Sequence, residues 1–384
     1  MRILLVGDYL RDSRLGSTKV VLKLQEEFRL LGHDCDVLLA DDLGVFPRHR
    51  WLRWGLAPVA ALAAVRRAFL RTGPYDVVDV ASGEGLWIAL LRRAGLFEDA
   101  AVVARSNGLE HLNYRRMCDD HEAGLLHKPW TRRFWYPAVR LSQVAGAARL
   151  ADRLILLNDG DRAFALARRW KREPCIELVP HGVSSRFLSD APAADHPRGR
   201  GILFCGTWDA MKGVHYLAAA FSQLVAAGTR ATLTVLGGAV PAESILAVFS
   251  HDARQRVTII DRVPEEHVIA AYRTHDVMAF PSSYEGFGMV LLEAMTQRLP
   301  VVATPAGCAM RLVRHEETGL SVPIRNPEAL AAALARLLGD APLRARLAGA
   351  AFQRVHDMSW ARTASETLRV YERALNGHRA LAHV

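Results

Sequence analysis

The run Phe280-Pro-Ser-Ser-Tyr-Glu-Gly-Phe-Gly-Met-Val-Leu-Leu-Glu-Ala-Met295 decides the fold, because a strand, a loop and a helix follow one another around it. Val277–Phe280 reads as a short apolar strand. Glu285-Gly286-Phe287-Gly288 is a loop whose glycines let a ligand approach the backbone closely. A helix begins near Gly288. The N–H groups of its first turn carry the positive end of the helix dipole, a ready anion site best suited to phosphate. Glu293 sits further along that helix among Met289, Val290, Leu291, Leu292, Ala294 and Met295. A carboxylate on so apolar a helix is costly unless something bonds it. A ribose diol is one such partner, as in dinucleotide sites; an exposed edge or an arginine is the plainer alternative.

The same unit recurs outward in both directions. Upstream, Gly206-Thr-Trp-Asp-Ala-Met-Lys-Gly213 follows the strand Ile202–Cys205, and Lys212 just before a helix can reach a diphosphate as a point charge. A lysine at a helix start is also an ordinary surface residue. Further strands are expected at Thr232–Leu236, Val257–Ile260 and Pro300–Ala303, and the tail from Pro327 reads as helical. In the first half, strands are expected at Ile3–Val6, Cys35–Leu39, Val77–Val80, Ala101–Ala104, Leu154–Leu157 and Ile176–Val179. Helical segments separate them, such as Thr18–Leu31, with Val20, Val21, Leu24, Phe28 and Leu31 at 3–4 spacing and Ser17 as its N-cap. Alternation of this kind means βαβ units and a parallel sheet covered on both faces. Residues 189–200 (SDAPAADHPRGR) are polar and aperiodic, and read as a linker. The expected architecture is therefore α/β, with two Rossmann-like doubly wound domains facing a cleft. Residues 1–188 form the first and 201–361 the second; a C-terminal helix at about 362–384 packs back onto the first.

Length and composition agree. At 384 residues the chain is long for one core, and 51% hydrophobic with 23% charged residues suits a globular protein. The five cysteines are scattered and form no CxxC pair, which argues against a disulfide framework or zinc cluster and fits a reducing, cytoplasmic compartment. The apolar start MRILLVGDYL is too short for a secretory signal and reads as a buried strand, and no segment is expected to cross a bilayer. GxGxxG, GxxxxGK[ST] and HExxH are absent.

The net charge of +9 is uneven. Between Asp42 and Asp76 there are six arginines and no acid, with Phe46, Trp51 and Trp54 among them. Between Glu122 and Asp152 the pattern repeats with Lys128, Arg132, Arg133, Arg140 and Arg149 beside Trp130, Phe134, Trp135 and Tyr136. Cations beside tryptophan suit a membrane interface or an anionic acceptor; a solvated basic face with its aromatics in the core is the bland reading. No nucleic-acid motif accompanies the charge, so nucleic acid is not an expected partner.

Taken together, these loops resemble the retaining GT-B glycosyltransferases of the large "glycosyl transferases group 1" family, which includes bacterial mannosyltransferases and sucrose-related synthases. The resemblance covers nearly the whole chain and is densest from Ile202 to Leu338. Its hallmark is a glutamate, seven residues and a second glutamate, here Glu285 and Glu293, followed by Pro300–Thr304 and Glu317-Thr-Gly-Leu320. Leu31-Gly32-His33, Val179-Pro-His-Gly-Val183 and Ser359-Trp360 also match. The resemblance implies transfer of a hexose from a nucleoside diphosphate sugar, UDP- or GDP-linked, to a saccharide, lipid-linked or small-molecule acceptor with retention of configuration. It implies that Glu285 bonds the donor sugar and Glu293 the ribose. The N–H groups of Phe287, Gly288 and Met289, with Lys212, hold the diphosphate in the Gly206–Thr207 region. Backbone near Val263 meets the base, and Gly16 lines the cleft. No metal or other cofactor is implied, because lysine and helix terminus take its place.

Two positions depart from the pattern. Thr207 stands where the family usually has arginine, removing a charge from the diphosphate site. Asn107, in the loop Arg105-Ser-Asn-Gly-Leu-Glu110, stands where histidine is frequent; it can bond a sugar hydroxyl but cannot act as a base. Asn107 is grouped with Glu285 and Lys212 as catalytic. Arg105, Glu110, Trp51, Trp54, Arg132 and Arg133 are assigned to the acceptor or membrane side, at the inner face of the membrane, in cell-envelope polysaccharide synthesis. The alternatives are a catalytically weak or inactive sugar-binding or partner protein of this fold, and a nucleotide-sugar epimerase.

Overall fold

The computed structural model describes residues 1–12, 16–44, 49–189, 191–193, 196–199 and 201–382, without the side chains of Arg50 and of 378–382. Phe46 and Arg48 of the first basic stretch lie outside the described residues. The chain divides into two compact units. Unit 1 comprises Met1–Tyr114, His127–His181 and Trp360–Val384; unit 2 comprises Arg115–Leu126 and Gly182–Ser359.

Unit 1 holds six parallel strands, β1 (Arg2–Val6), β2 (Asp34–Leu38), β3 (Val77–Ala81), β4 (Ala101–Arg105), β5 (Arg153–Leu156) and β6 (Ile176–Leu178), in the order β2-β1-β3-β4-β5-β6. Each residue of β3 and β4 is buried, which is why these strands read as continuous apolar runs rather than alternating ones. The first long helix spans Gly16–Leu30 and buries Val20, Val21, Leu24 and Phe28, the face its spacing predicts. The last helix, Trp360–Ala382, belongs to this unit and places Tyr371 against Phe28, ring centroids 5.7 Å apart.

Unit 2 repeats the scheme with β7 (Ile202–Cys205), β8 (Leu233–Leu236), β9 (Val257–Ile260), β10 (Val277–Phe280), β11 (Val301–Ala303) and β12 (Leu320–Ser321). Their order is β12-β11-β10-β7-β8-β9, again all parallel. Read from the other side it is the 3-2-1-4-5-6 order of a dinucleotide fold, whose direction reverses between β7 and β10. The short strand β12 has no counterpart in the sequence reading, because two residues carry no periodicity. The other eleven expected strands are all present.

The chain passes into unit 2 already after His181, and Val183 is bridged to Ser359. Arg198 then donates to the carbonyls of Tyr272, Arg273, His275, Gln297 and Arg298. One guanidinium satisfying five carbonyls anchors the chain at Arg198.

Candidate active site

In doubly wound sheets ligands collect beyond the carboxyl ends of the strands, where the strand order reverses. In unit 2 that point lies between the loops after β7 and β10, the two loops that carry Lys212 and Glu285. Close backbone contact joins them. Gly213 has φ +69°, and a Cβ there would lie 2.0 Å from the Pro281 carbonyl oxygen, so only glycine fits. Ser283 donates to the Met211 carbonyl from both its N–H and its hydroxyl, each at 2.9 Å. Across this junction Lys212 Nζ meets Glu285 Oε1 at 2.6 Å, and the Ser282 hydroxyl donates to the same oxygen at 2.9 Å. Oε2 of Glu285 has no hydrogen-bond partner among the described residues.

Gly288, with φ +91°, turns the chain into the helix Met289–Thr296. A Cβ there would fall 2.8 Å from the Phe280 ring, so the tight entry also requires glycine. The Phe287 carbonyl is tied back by the Cys308 N–H at 2.6 Å, which fixes the loop ahead of the helix. In the first turn the Leu291 N–H closes back on the Gly288 carbonyl at 3.0 Å, and the N–H groups ahead of it have no carbonyl one turn back inside the helix to bond. Glu293 is buried on this helix, and the hydroxyl of Tyr272 donates to its Oε2 at 3.1 Å. Neither the exposed edge nor an arginine considered from the sequence is what meets it at this bond. Thr207 is exposed beside Gly206 after β7, and Val263 lies half-buried in the loop after β9, at the same edge of the sheet. Among the described residues, no group of three or more His, Cys, Asp or Glu side chains is placed to hold a metal.

In unit 1 the strand order reverses between β1 and β3. Gly16 starts the first helix after the loop that leaves β1. Asn107 follows β4, and its Nδ2 donates to the Tyr9 hydroxyl at 3.0 Å; its Oδ1 is buried without a hydrogen-bond partner among the described residues.

Arg105, assigned from the sequence to the acceptor or membrane side, is buried and paired within unit 1. It ends the wholly buried β4 and forks onto Asp79 of the neighbouring β3, Nε to Oδ2 at 2.9 Å and Nη2 to Oδ2 at 2.6 Å. The Tyr371 hydroxyl donates to that carboxylate at 2.5 Å. Burial alone would weaken the guanidinium's hold on its proton, but the Asp79 charge more than offsets this and the pKa rises.

Glu110 is likewise engaged. It accepts from Ser82, from the Tyr136 hydroxyl at 2.6 Å and from Arg140 Nη2 at 2.8 Å. Arg140 also bonds Glu84, at 2.8 and 3.1 Å. One arginine thus serves two carboxylates, buried Glu84 and half-buried Glu110, and their pKa values part. Burial raises that of Glu84; for Glu110 burial acts in the same sense but Arg140 and the hydroxyl donors prevail and lower it. These residues shape the unit 1 edge from beneath, because a charge so enclosed needs its partners to remain folded.

Residues 194–354 match the sequence profile of the family described as glycosyl transferases group 1. The matched stretch lies within unit 2. A phosphatidyl-myo-inositol mannosyltransferase of Mycolicibacterium smegmatis is 34% identical over 215 residues, covering 54% of this chain and 55% of that protein. The chain thus matches little more than half the length of that relative. Sucrose-phosphate synthase from Thermosynechococcus elongatus superposes with a TM-score of 0.79 at 21% identity, over 98% of this chain and 99% of the other. Anabaena HepE in complex with UDP-glucose superposes with a TM-score of 0.68 at 15% identity, over 97% and 99%. The fold is GT-B: two doubly wound units and a helical C-terminal region.

In unit 1 the two basic stretches meet. Trp135 Nε1 donates to the Trp51 carbonyl at 2.9 Å, and the two indoles contact edge-on at 5.5 Å. Arg132 lies over both Trp54 and Tyr136, at 4.6 and 4.4 Å from the ring centroids, and Arg133 over Phe134. Tyr136 is buried, as the bland reading expects, but Trp130 and Phe134 are 60% and 63% exposed. Among the described residues no helix is long and apolar enough to cross a membrane.

Three contributors to the site escaped the sequence reading. Ser282 and Ser283 stand inside the quoted run, and their hydroxyls beside a loop glutamate were the available signal. Tyr272 precedes that run, in the helix Glu265–Thr274, and nothing in its local sequence points to Glu293.

Proposed function

We propose that the protein is a retaining hexosyltransferase that uses a nucleoside diphosphate sugar, UDP- or GDP-linked, and needs no metal. The observation that carries this reading is the Lys212–Glu285 pair, set at the strand-order reversal beside the helix entry at Gly288. An ammonium, a helix N-terminus and an uncommitted carboxylate oxygen within one junction match the three parts of a sugar diphosphate: phosphate, phosphate and hydroxyl. The diphosphate takes Lys212 and the N–H groups of Phe287, Gly288 and Met289. Glu285 turns to the sugar hydroxyls, Glu293 accepts from the ribose, and backbone near Val263 meets the base. Gly206 and Thr207 border the phosphates, Gly16 is assigned to donor binding, and Asn107 is grouped with Glu285 and Lys212 as catalytic.

In the reaction the anomeric carbon–oxygen bond to the diphosphate breaks and the acceptor oxygen bonds that carbon on the same face. The acceptor's proton passes to the departing phosphate oxygen, giving glycoside and nucleoside diphosphate. The chain contributes positioning and stabilisation of the leaving charge. The UDP-glucose bound by HepE supports the donor class, and the name of the mycobacterial relative supports a lipid-linked acceptor of the cell envelope. Five free cysteines support a cytoplasmic setting.

Incubation with UDP-, GDP- and ADP-sugars and candidate acceptors, with chelator present, tests the reading. Nucleotide release and a product of unchanged anomeric configuration are expected. A thermal shift without release from any donor would instead identify a sugar-binding or partner protein, the reading that Thr207 and Asn107 favour.

The exposed Trp130 and Phe134 with Arg132 and Arg133 support docking on an anionic membrane, each basic residue near the surface contributing about 1 kcal/mol. Sedimentation with anionic vesicles but not neutral ones is the expected result; equal, negligible binding to both would remove the membrane from the proposal.

A further inference from the structure

Tyr272 is a fully buried tyrosine on the helix Glu265–Thr274, away from both site loops in sequence. Its ring packs against Phe187, centroids 6.2 Å apart, so little freedom remains for the hydroxyl except where it points. It points at Glu293 Oε2, 3.1 Å away, and Cys205 at the end of β7 is a second hydrogen-bond partner. We propose that Tyr272 is a positioning residue for nucleotide binding: it holds the Glu293 carboxylate in the orientation that accepts the ribose diol. The inference rests on the nucleotide-sugar reading above.

The chemistry of the partner is what separates this role from plain core packing. A lysine or arginine at the same place would neutralise the carboxylate and compete with the ligand for it. A phenol orients one oxygen and leaves the charge in place, so a ribose hydroxyl still finds a charged acceptor. Burial, then the neighbouring Cys205 and Glu293, hold the phenol's pKa well above its ordinary value, so it remains a donor throughout the working pH range.

The test is calorimetric titration of wild type and Tyr272→Phe with UDP, GDP and ADP and with their 2′,3′-dideoxy counterparts. The substitution keeps the ring and removes one oxygen. The ribonucleotide that binds wild type is expected to bind Tyr272→Phe about three- to thirtyfold more weakly, while its dideoxy counterpart binds both proteins equally. Should Tyr272→Phe not fold, Tyr272→His retains a donor on a planar ring, and discrimination between ribo- and dideoxynucleotide is then expected to survive in part. A Glu293→Gln background gives a further check: there, adding Tyr272→Phe should cost no more than twofold. Equal losses for ribo- and dideoxynucleotides, or no loss for either, would overturn the positioning role alone. Wild type that binds none of the diphosphates would overturn the nucleotide-sugar reading, and this inference with it.

Discussion

The carboxyl edges of the two sheets each carry an ion pair, and the pairs are built differently. In unit 2, Lys212 and Glu285 share a single contact; the ammonium side chain is 22% exposed, and one carboxylate oxygen is uncommitted among the described residues. In unit 1, Arg105 grips Asp79 as a fork, both side chains are 3% exposed or less, and Tyr371 adds a third bond. The first pair can exchange its partners for those of a ligand at less cost, since the lysine side chain is partly in water already. The second cannot, because either charge left alone would be stranded in a medium that does not solvate it. An arginine at the end of a strand and a lysine at the start of a helix are both candidates for substrate contact when only residue type and position are known. What separates them is the number of partners each already has.

The sharpest break of this contrast is at Arg105. Arg105→Met leaves Asp79 buried with, among the described residues, only the Tyr371 hydroxyl to bond it, and the expected loss of stability is about 3 to 5 kcal/mol. Adding Asp79→Asn should recover a good part of that loss, since the stranded charge goes with it. Urea unfolding of both variants checks this. A Arg105→Met protein as stable as wild type, with activity lost, would return Arg105 to the acceptor side where its position in the sequence had suggested it.

The contrast also explains which parts of the molecule were readable beforehand. Glu285, Gly288 and Glu293 lie within one strand-loop-helix run, where glycine, capping and helix-dipole arguments apply to neighbours in the chain. The Arg105 cluster draws on Asp79 and Tyr371, and the Arg140 cluster on Glu84, Glu110, Ser82 and Tyr136. No pattern of spacing joins residues brought together by strand order alone. Even the polar 189–200 stretch follows this rule: composition marks it as a linker, but the five carbonyls that Arg198 reaches come from distant elements.

Within unit 2 the two glutamates sharpen the comparison further. Glu293→Ala removes a charged acceptor from neutral ribose donors, a bond whose loss costs about 1.5 to 3 kcal/mol, so nucleoside diphosphate affinity should fall roughly ten- to a hundredfold. Glu285→Gln should chiefly lower turnover. It also removes the negative charge that holds Lys212 at 2.6 Å, leaving a weaker amide acceptor, so affinity for the free diphosphate should hold at the wild-type value or rise. Calorimetry on both folded variants decides between them. If Glu285 rather than Glu293 controls nucleotide affinity, the assignment of the pair is reversed.

The smallest effect is expected at Asn107, a sequence-assigned residue of the unit 1 edge whose side chain is only partly engaged. Its Nδ2 bonds Tyr9, but its Oδ1 is buried and unpartnered among the described residues. Asn107→Ala therefore loses one neutral hydrogen bond, about 1 kcal/mol, and at the same time removes an unsatisfied acceptor that costs about as much. The two nearly cancel, and the melting temperature should move by no more than about 2 to 4 °C. Activity is a different matter if Oδ1 is kept for an acceptor hydroxyl. Loss of one such neutral bond predicts a fall in kcat/KM of about two- to tenfold, with the diphosphate affinity unchanged because that site lies in unit 2. Steady-state kinetics with saturating donor and varied acceptor would show it. Wild-type kcat/KM in a folded Asn107→Ala protein would mean that the loop after β4 does not meet the acceptor, and a large drop in melting temperature would mean that Oδ1 is already satisfied within the fold.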